Sequence, residues 1–202
     1  MIRTIYLVRH GQLQAADDQK RFVGQIDLPL SRQGIEQAET IRRYFTGNKL
    51  DVYCSDLARS RQTAEHIVKD TGRDLRTRTD FREISMGLWE GKTFAEIALT
   101  YPKEFEERGK GIENYRTPGG ESFQECSSRV VTAFLEIVAS SDRDIAIIGH
   151  AGINRLLLCY LLGMPISNLF RLGQDYGCIN IITKAKQQYR VKAINLSLES
   201  RQ

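Results

Sequence analysis

Two short apolar runs constrain the fold more than anything else in the chain: IRTIYLVR at Ile2–Arg9 and DIAIIG at Asp144–Gly149. Both are rich in β-branched residues, and neither alternates apolar with polar. Such runs suit strands covered on both faces, as in the interior of a parallel sheet. Each ends on a histidine followed by a glycine-containing turn, His10-Gly11 and His150-Ala151-Gly152. A fold that buries both strands side by side brings both histidines to one edge.

The segments between them carry helical signals. Ser31 is a good N-cap for a stretch with Ile35, Ala38, Ile41 and Phe45 at helical spacing, and Gly47 is its natural stop. Residues 51–54 read as a second short strand. Ser55 then caps a helix running to about Asp70, with Gly72 as terminator and Arg59 near the first turn. A weak strand is expected around 75–78, one or two short helices over 94–108, and a flexible loop over 109–120. Ser122 caps a long helix with Phe123, Val130, Val131, Phe134 and Val138 on its apolar side. An apolar helix to Leu162 follows His150, with two further strands near 176–183 and 189–196. The alternation predicts an α/β fold: a three-layer α/β/α domain with a mostly parallel central sheet.

At 202 residues the chain fits one domain, so one active site is expected, not several modules. The apolar run 156–162 is too short to span a bilayer, and the N-terminus leaves no room for a secretory leader, so a cytoplasmic protein without membrane contact is expected. Cys54, Cys126, Cys159 and Cys178 form no CxxC pair, which argues against a zinc or redox motif and for reduced thiols. The net charge of +4 is dispersed, which favours small anionic substrates over nucleic acid. Oligomeric state is open between monomer and homodimer.

In parallel sheets ligands bind at the carboxyl ends of the strands. His10 and His150 follow two strands, Arg9 flanks the first, and Arg59 follows a third on the same edge, where a helix N-terminus also favours an anion. Two histidines and two arginines in one crevice describe a phosphate or carboxylate site. His66 lacks such placement and is read as a helix-surface residue.

The motifs carry a resemblance. Leu7-Val8-Arg9-His10-Gly11 resembles the signature of the histidine phosphatase superfamily, also called phosphoglycerate mutase-like. Further matches follow in order: Arg21-Phe22-Val23-Gly24 with the Asp27 to Ser31 stretch, the run from Ser55 to Ala64, Glu83-Ile84 with Gly87 and Trp89-Glu90-Gly91, Gly119-Gly120-Glu121-Ser122, and Gly149-His150-Ala151-Gly152. The resemblance implies a phosphoglycerate mutase-like fold with a substrate-capping insertion at about 92–120. It assigns His10 as nucleophile, Arg9, Arg59 and His150 as the phosphate pocket, Glu83 as proton donor, and Gln12, Arg21, Val23 and Gly24 to substrate contacts. Glu90 is the rival acid, and the alternative for Glu83 is a surface pair with Arg82 or Arg108.

The chemistry suits these roles. A neutral imidazole can attack phosphorus in line, and the phosphohistidine splits one displacement into two. Guanidinium groups and a protonated His150 are expected to stabilise the equatorial oxygens, so no metal or cofactor is required. Two departures from the family stand out. Gln12 and Leu13 replace the usual Glu-Thr or Glu-Ser, and Ala16 occupies a position where many members carry Asn, so that polar contact is either missing or supplied by Gln12, Gln14 or Gln25. The stretch 91–120 lacks the basic insertion of the mutases, so hydrolysis of a small phosphorylated metabolite is favoured over mutase transfer or a weakly active binding module. The segments 149–159 and 174–177 are similar to α-ribazole phosphatases of cobalamin nucleotide-loop assembly. A metallohydrolase would want clustered Asp and His pairs that the sequence does not show.

Overall fold

The computed structural model describes residues 2–14, 17 and 19–198. Ala16, where the sequence departs from the family pattern, lies outside the described residues. The strands are β1 (Ile2–Arg9), β2 (Leu50–Cys54), β3 (Leu75–Thr77), β4 (Asp144–Gly149), β5 (Ile179–Ala185) and β6 (Gln188–Leu196). The helices are α1 (Arg32–Tyr44), α2 (Ala58–Val68), α3 (Phe94–Thr100), α4 (Pro102–Lys110), α5 (Phe123–Ser140) and α6 (Ala151–Leu162). The six strands form one sheet in the order β3-β2-β4-β1-β5-β6. The pairs β3/β2, β2/β4 and β4/β1 are parallel, and β5 and β6 add an antiparallel edge.

Alternation across the pleat explains why β1 and β4 read as continuous apolar runs. Ile5, Leu7, Ile145 and Ile147 face one core, while Tyr6, Val8, Ala146 and Ile148 face the other. The first core also takes Val130, Phe134 and Ile137 of α5 and Leu156 to Leu158 of α6; the second takes Ile41 and Phe45 of the α1 region with Ala64 and Ile67 of α2. Burying each large side chain contributes about 1.5–3 kcal/mol, so both faces of the sheet are locked to helices. The result is the three-layer α/β/α arrangement expected from the alternation.

Several local expectations are corrected. Ser55 does not cap α2. Its hydroxyl accepts from Leu57 N at 3.2 Å, making a turn, and Asp27 of the distant loop accepts from Ala58 N at 2.7 Å instead. Ile35 is 44% exposed, because Gly34 takes the buried place at the start of α1. The segment 109–120 begins as the end of α4. Beyond it Ile112 and Tyr115 pack against the core, and Tyr115 lies 5.9 Å from the Trp89 ring, so this stretch is docked, not free. The first of the two last strands starts at Ile179, and residues 172–178 form a loop. Ser31 and Ser122 do cap their helices, the latter in a reciprocal capping box with Glu125.

Candidate active site

Sheet register builds the site. Arg9 pairs with Gly149 across β1 and β4, so the next residues, His10 and His150, stand side by side with ring centroids 5.1 Å apart and planes at 63°. His10 N donates to Gly149 O at 3.0 Å, which fixes the turn where the two strands end. Gly11 is required there for space: a Cβ would lie 2.3 Å from Gly34 O. Arg59 comes from the second residue of α2, which starts beyond the carboxyl end of β2.

Hydrogen bonds assign the tautomers. His10 Nδ1 lies 2.7 Å from Gly11 O. A carbonyl only accepts, so Nδ1 carries the proton and Nε2 keeps its lone pair. His150 is the mirror case. Arg59 Nε donates to His150 Nδ1 at 3.1 Å, and a guanidinium only donates, so Nδ1 is the acceptor and the neutral ring carries its proton on Nε2. Burial, Arg59 and Arg9 hold the His10 pKa well below its ordinary 6.5. Burial, Arg59, His10 and Arg9 do the same for His150. The expectation of a protonated His150 is therefore corrected: the neighbouring guanidinium occupies the nitrogen that the extra proton would need.

The cations are anchored. Arg59 is 1% exposed and also donates to Ile26 O at 2.8 Å and Gly24 O at 2.6 Å. Burial lowers its pKa and the Glu83 charge opposes this, but the guanidinium stays protonated at any working pH. Arg9 donates to Gln174 O at 2.5 Å and stacks on the Tyr176 ring, 3.7 Å from its centroid. Two buried polar atoms here, Arg9 Nε and His150 Nε2, have no hydrogen-bond partner among the described residues. Buried polar atoms without partners are rare, and both belong to side chains that neighbour His10.

Glu83 joins from the segment after β3. Its Oε2 accepts from Gly152 N at 2.9 Å, in the first turn of α6, and its Oε1 from Ile84 N at 3.0 Å. Gly152 permits this approach, since a Cβ would fall 2.3 Å from Glu83 Oε1. The surface-pair alternative for Glu83 does not hold. Arg82 pairs with Asp56, and Arg108 sits over the Phe22 ring at 5.3 Å. The rival Glu90 is committed elsewhere: it accepts from Gly24 N, Gln25 N, Ile26 N and Met86 N at 2.6–3.3 Å, tying the loop at 24–26 to the segment that carries Glu83.

A cleft of about 1160 Å³ lies beside this cluster, walled in part by Arg9, Gln12, Arg21, Val23, Glu83 and Tyr176, while His10, Arg59 and His150 are buried behind that wall and do not line it. Arg21 reaches it while paired to Asp17 at 2.5 Å and bonded to Gly91 O at 3.0 Å. Gly24 is not brought to the wall. Its carbonyl is taken by Arg59 and its N–H by Glu90, so it shapes the loop from behind. Of the glutamines, Gln12 and Gln14 line the cleft, whereas Gln25 bonds Glu83 O at 3.1 Å. His66 is paired with Glu39 at 2.6 Å, away from the site.

Sequence reasoning gave no site role to Gln174, Tyr176 or Arg155. The first two arrive through topology. Antiparallel β5 starts beside the carboxyl end of β1, with Val8 opposite Ile179, and Gly177 N donates to His10 O at 3.1 Å. A signal existed in the Gln174-Asp175-Tyr176-Gly177 turn just before that strand. Arg155 stands one turn beyond Ala151 on the same face of α6, and both line the cleft.

Among the described residues, no group of three His, Cys, Asp or Glu side chains is placed to hold a metal ion, and no helix is long and apolar enough to cross a membrane.

Comparison with known proteins gives the chain's relatives. A Caenorhabditis elegans 6-phosphofructo-2-kinase/fructose-2,6-bisphosphatase is 31% identical over 170 residues, covering 83% of this chain and 36% of its own, so this chain spans about a third of that relative. The adenosylcobalamin/alpha-ribazole phosphatase of Escherichia coli (strain K12) is 26% identical over 193 residues, 95% of each chain. The solved mycobacterial glucosyl-3-phosphoglycerate phosphatase superposes with a TM-score of 0.87 at 26% identity, covering 98% of this chain and 100% of its own. The profile of the histidine phosphatase superfamily (branch 1) matches residues 5–197, and the chain belongs to that superfamily.

Proposed function

We propose that this chain is a metal-independent phosphomonoesterase that works through a phosphohistidine on His10. The observation that carries the reading is the pair of opposite tautomers in one buried cluster: a lone pair on His10 Nε2 beside an N–H on His150 Nε2. A nucleophile must be unprotonated, and its neighbour must donate to the phosphoryl oxygens. The hydrogen bonds of Gly11 and Arg59 produce that division.

In the first step His10 Nε2 attacks phosphorus, the P–O bond to the leaving group breaks, and the departing oxygen takes a proton from Glu83. In the second, Glu83 accepts a proton from water, the water oxygen attacks phosphorus, and the N–P bond breaks to release phosphate. Arg9, Arg59 and His150 donate to the equatorial oxygens throughout. The cationic side chains supply the charge that a divalent ion would otherwise bring, so activity is expected to survive a chelator.

The whole chain, 1–202, acts as one catalytic domain on this reading, and 92–120 caps the cleft. Gln12, Arg21 and Val23 meet the leaving group, and Gly24 supports them. α-Ribazole 5'-phosphate, a cobalamin precursor, is the first substrate to try, because that phosphatase aligns over nearly all of both chains. Steady-state hydrolysis of a panel of phosphomonoesters in chelator tests the proposal. A preference for α-ribazole phosphate supports the finer reading, a preference for another small metabolite replaces it, and no turnover of any member overturns the phosphatase assignment.

A further inference from the structure

A polar network behind Glu83 takes no part in the steps above. Arg129 of α5 is partly buried, and its Nη1 donates to Asp80 O at 2.7 Å and Arg82 O at 3.0 Å, just before Glu83 in the chain. Its Nε and Nη2 grip both carboxylate oxygens of Glu121, at 3.0 and 2.8 Å. Glu121 in turn accepts from Ser85 N at 3.0 Å, and its own N–H donates to Ser85 O at 2.9 Å, just after Glu83. The backbone carrying Glu83 is thus held on both sides, by one bidentate pair from outside that segment.

The geometry has a consequence for proton transfer. The segment 82–86 is irregular backbone and has no strand or helix ladder to fix it. Among the described residues the Glu83 carboxyl accepts hydrogen bonds from Ile84 N, its chain neighbour, and from Gly152 N in the first turn of α6. Its aim is therefore inherited from the backbone, which Arg129 and Glu121 hold on either side of Glu83, alongside single bonds from Gln25 to Glu83 O and from Met86 N to Glu90. Bidentate pairing matters here, because a planar fork can hold two carbonyls and a carboxylate at once whereas an ammonium cannot. Glu121 also neutralises Arg129, so the clamp adds no net charge beside the proton donor.

We propose that Arg129 and Glu121 are positioning residues that aim Glu83 at the leaving-group oxygen. The inference rests on Glu83 being the donor. It is tested with aryl phosphates of graded leaving-group acidity, from 4-nitrophenyl to 4-methylphenyl phosphate, using wild type, Glu83→Gln, Arg129→Met and Glu121→Gln. A good leaving group departs without a proton, so loss of a donor falls on the poor one. Glu83→Gln is expected to lose roughly 100-fold or more in kcat/KM, which reports only the steps up to departure of the leaving group, on the methylphenyl ester and less than about 10-fold on the nitrophenyl ester. Both clamp variants should show the same skew, about 10-fold against less than about 3-fold, with the inhibition constant of inorganic phosphate unchanged. Glu121→Gln keeps the side-chain volume and carries the test where Arg129→Met does not fold. A skew in Glu83→Gln with uniform or absent loss in the clamp variants overturns the clamp alone. No skew in Glu83→Gln overturns the donor, and the clamp with it.

Discussion

Arg59 donates its Nε proton to His150 Nδ1 at 3.1 Å, and both side chains are buried. One hydrogen bond therefore does two things: it keeps the ring neutral and leaves its only proton on Nε2. A lysine retains the charge but has no planar fork, and it cannot also bond Ile26 O and Gly24 O.

Arg59→Lys is accordingly expected to lower kcat/KM at least about 100-fold, close to the loss of one oxyanion donor, although net charge is unchanged. Steady-state kinetics on an aryl phosphate measures this. Activity within a few-fold of wild type would show that charge alone suffices.

The depressed pKa values of the two histidines link stability to pH. Both are held neutral in the folded protein but titrate near 6.5 once unfolded. Below about pH 6.5 the unfolded chain binds protons that the folded one refuses, so stability is full above that value and falls as pH drops toward the folded pKa values. The slope is at most about 1.4 kcal/mol per pH unit for each histidine. Urea midpoints at pH 7.5 and 5.5 should show the loss, and His150→Gln should reduce it. A variant that falls as steeply as wild type contradicts the assignment.

Gly152→Ala places a Cβ within 2.3 Å of Glu83 Oε1 and must displace the carboxylate. The expected result is a loss of roughly 10- to 100-fold on esters with poor leaving groups, while the melting temperature moves by only a few degrees. Retention of full activity on such esters would mean that the present position of the carboxylate is not the working one.

Glu90→Ala removes the acceptor of four backbone N–H groups where the loop at 24–26 meets the segment that carries Glu83. Leaving buried donors unpaired costs about 1–3 kcal/mol each, moderated by water entering from the cleft side, so thermal stability should drop clearly. The leaving-group dependence should stay as in wild type, because Glu90 moves no proton. A variant that is stable but shows the skew expected for loss of a proton donor would reverse the assignment.

The strands and the histidines at their ends were legible because their signals are local. An apolar run bounded by His10-Gly11 or His150-Ala151-Gly152 says strand, then turn, and parallel pairing does the rest. Other features were not legible because they depend on distant partners. Asp27 displaced Ser55 as the cap of α2 from 31 residues away. Tyr176 reached the site only because β5 runs antiparallel beside β1, a pairing that no local pattern announces. The charge state of His150 depended on which Arg59 nitrogen faced it, a matter of orientation that residue identity leaves open.

A phosphoryl group carried on His10 Nε2 is the intermediate on which the proposed turnover depends. Wild-type protein in chelator should be mixed with an aryl phosphate, quenched in base within the turnover time, digested and analysed by mass spectrometry. One added phosphoryl group is expected on the peptide containing His10, labile to acid and absent in His10→Ala. Rapid turnover with no such adduct, or an equal adduct in His10→Ala, would contradict it.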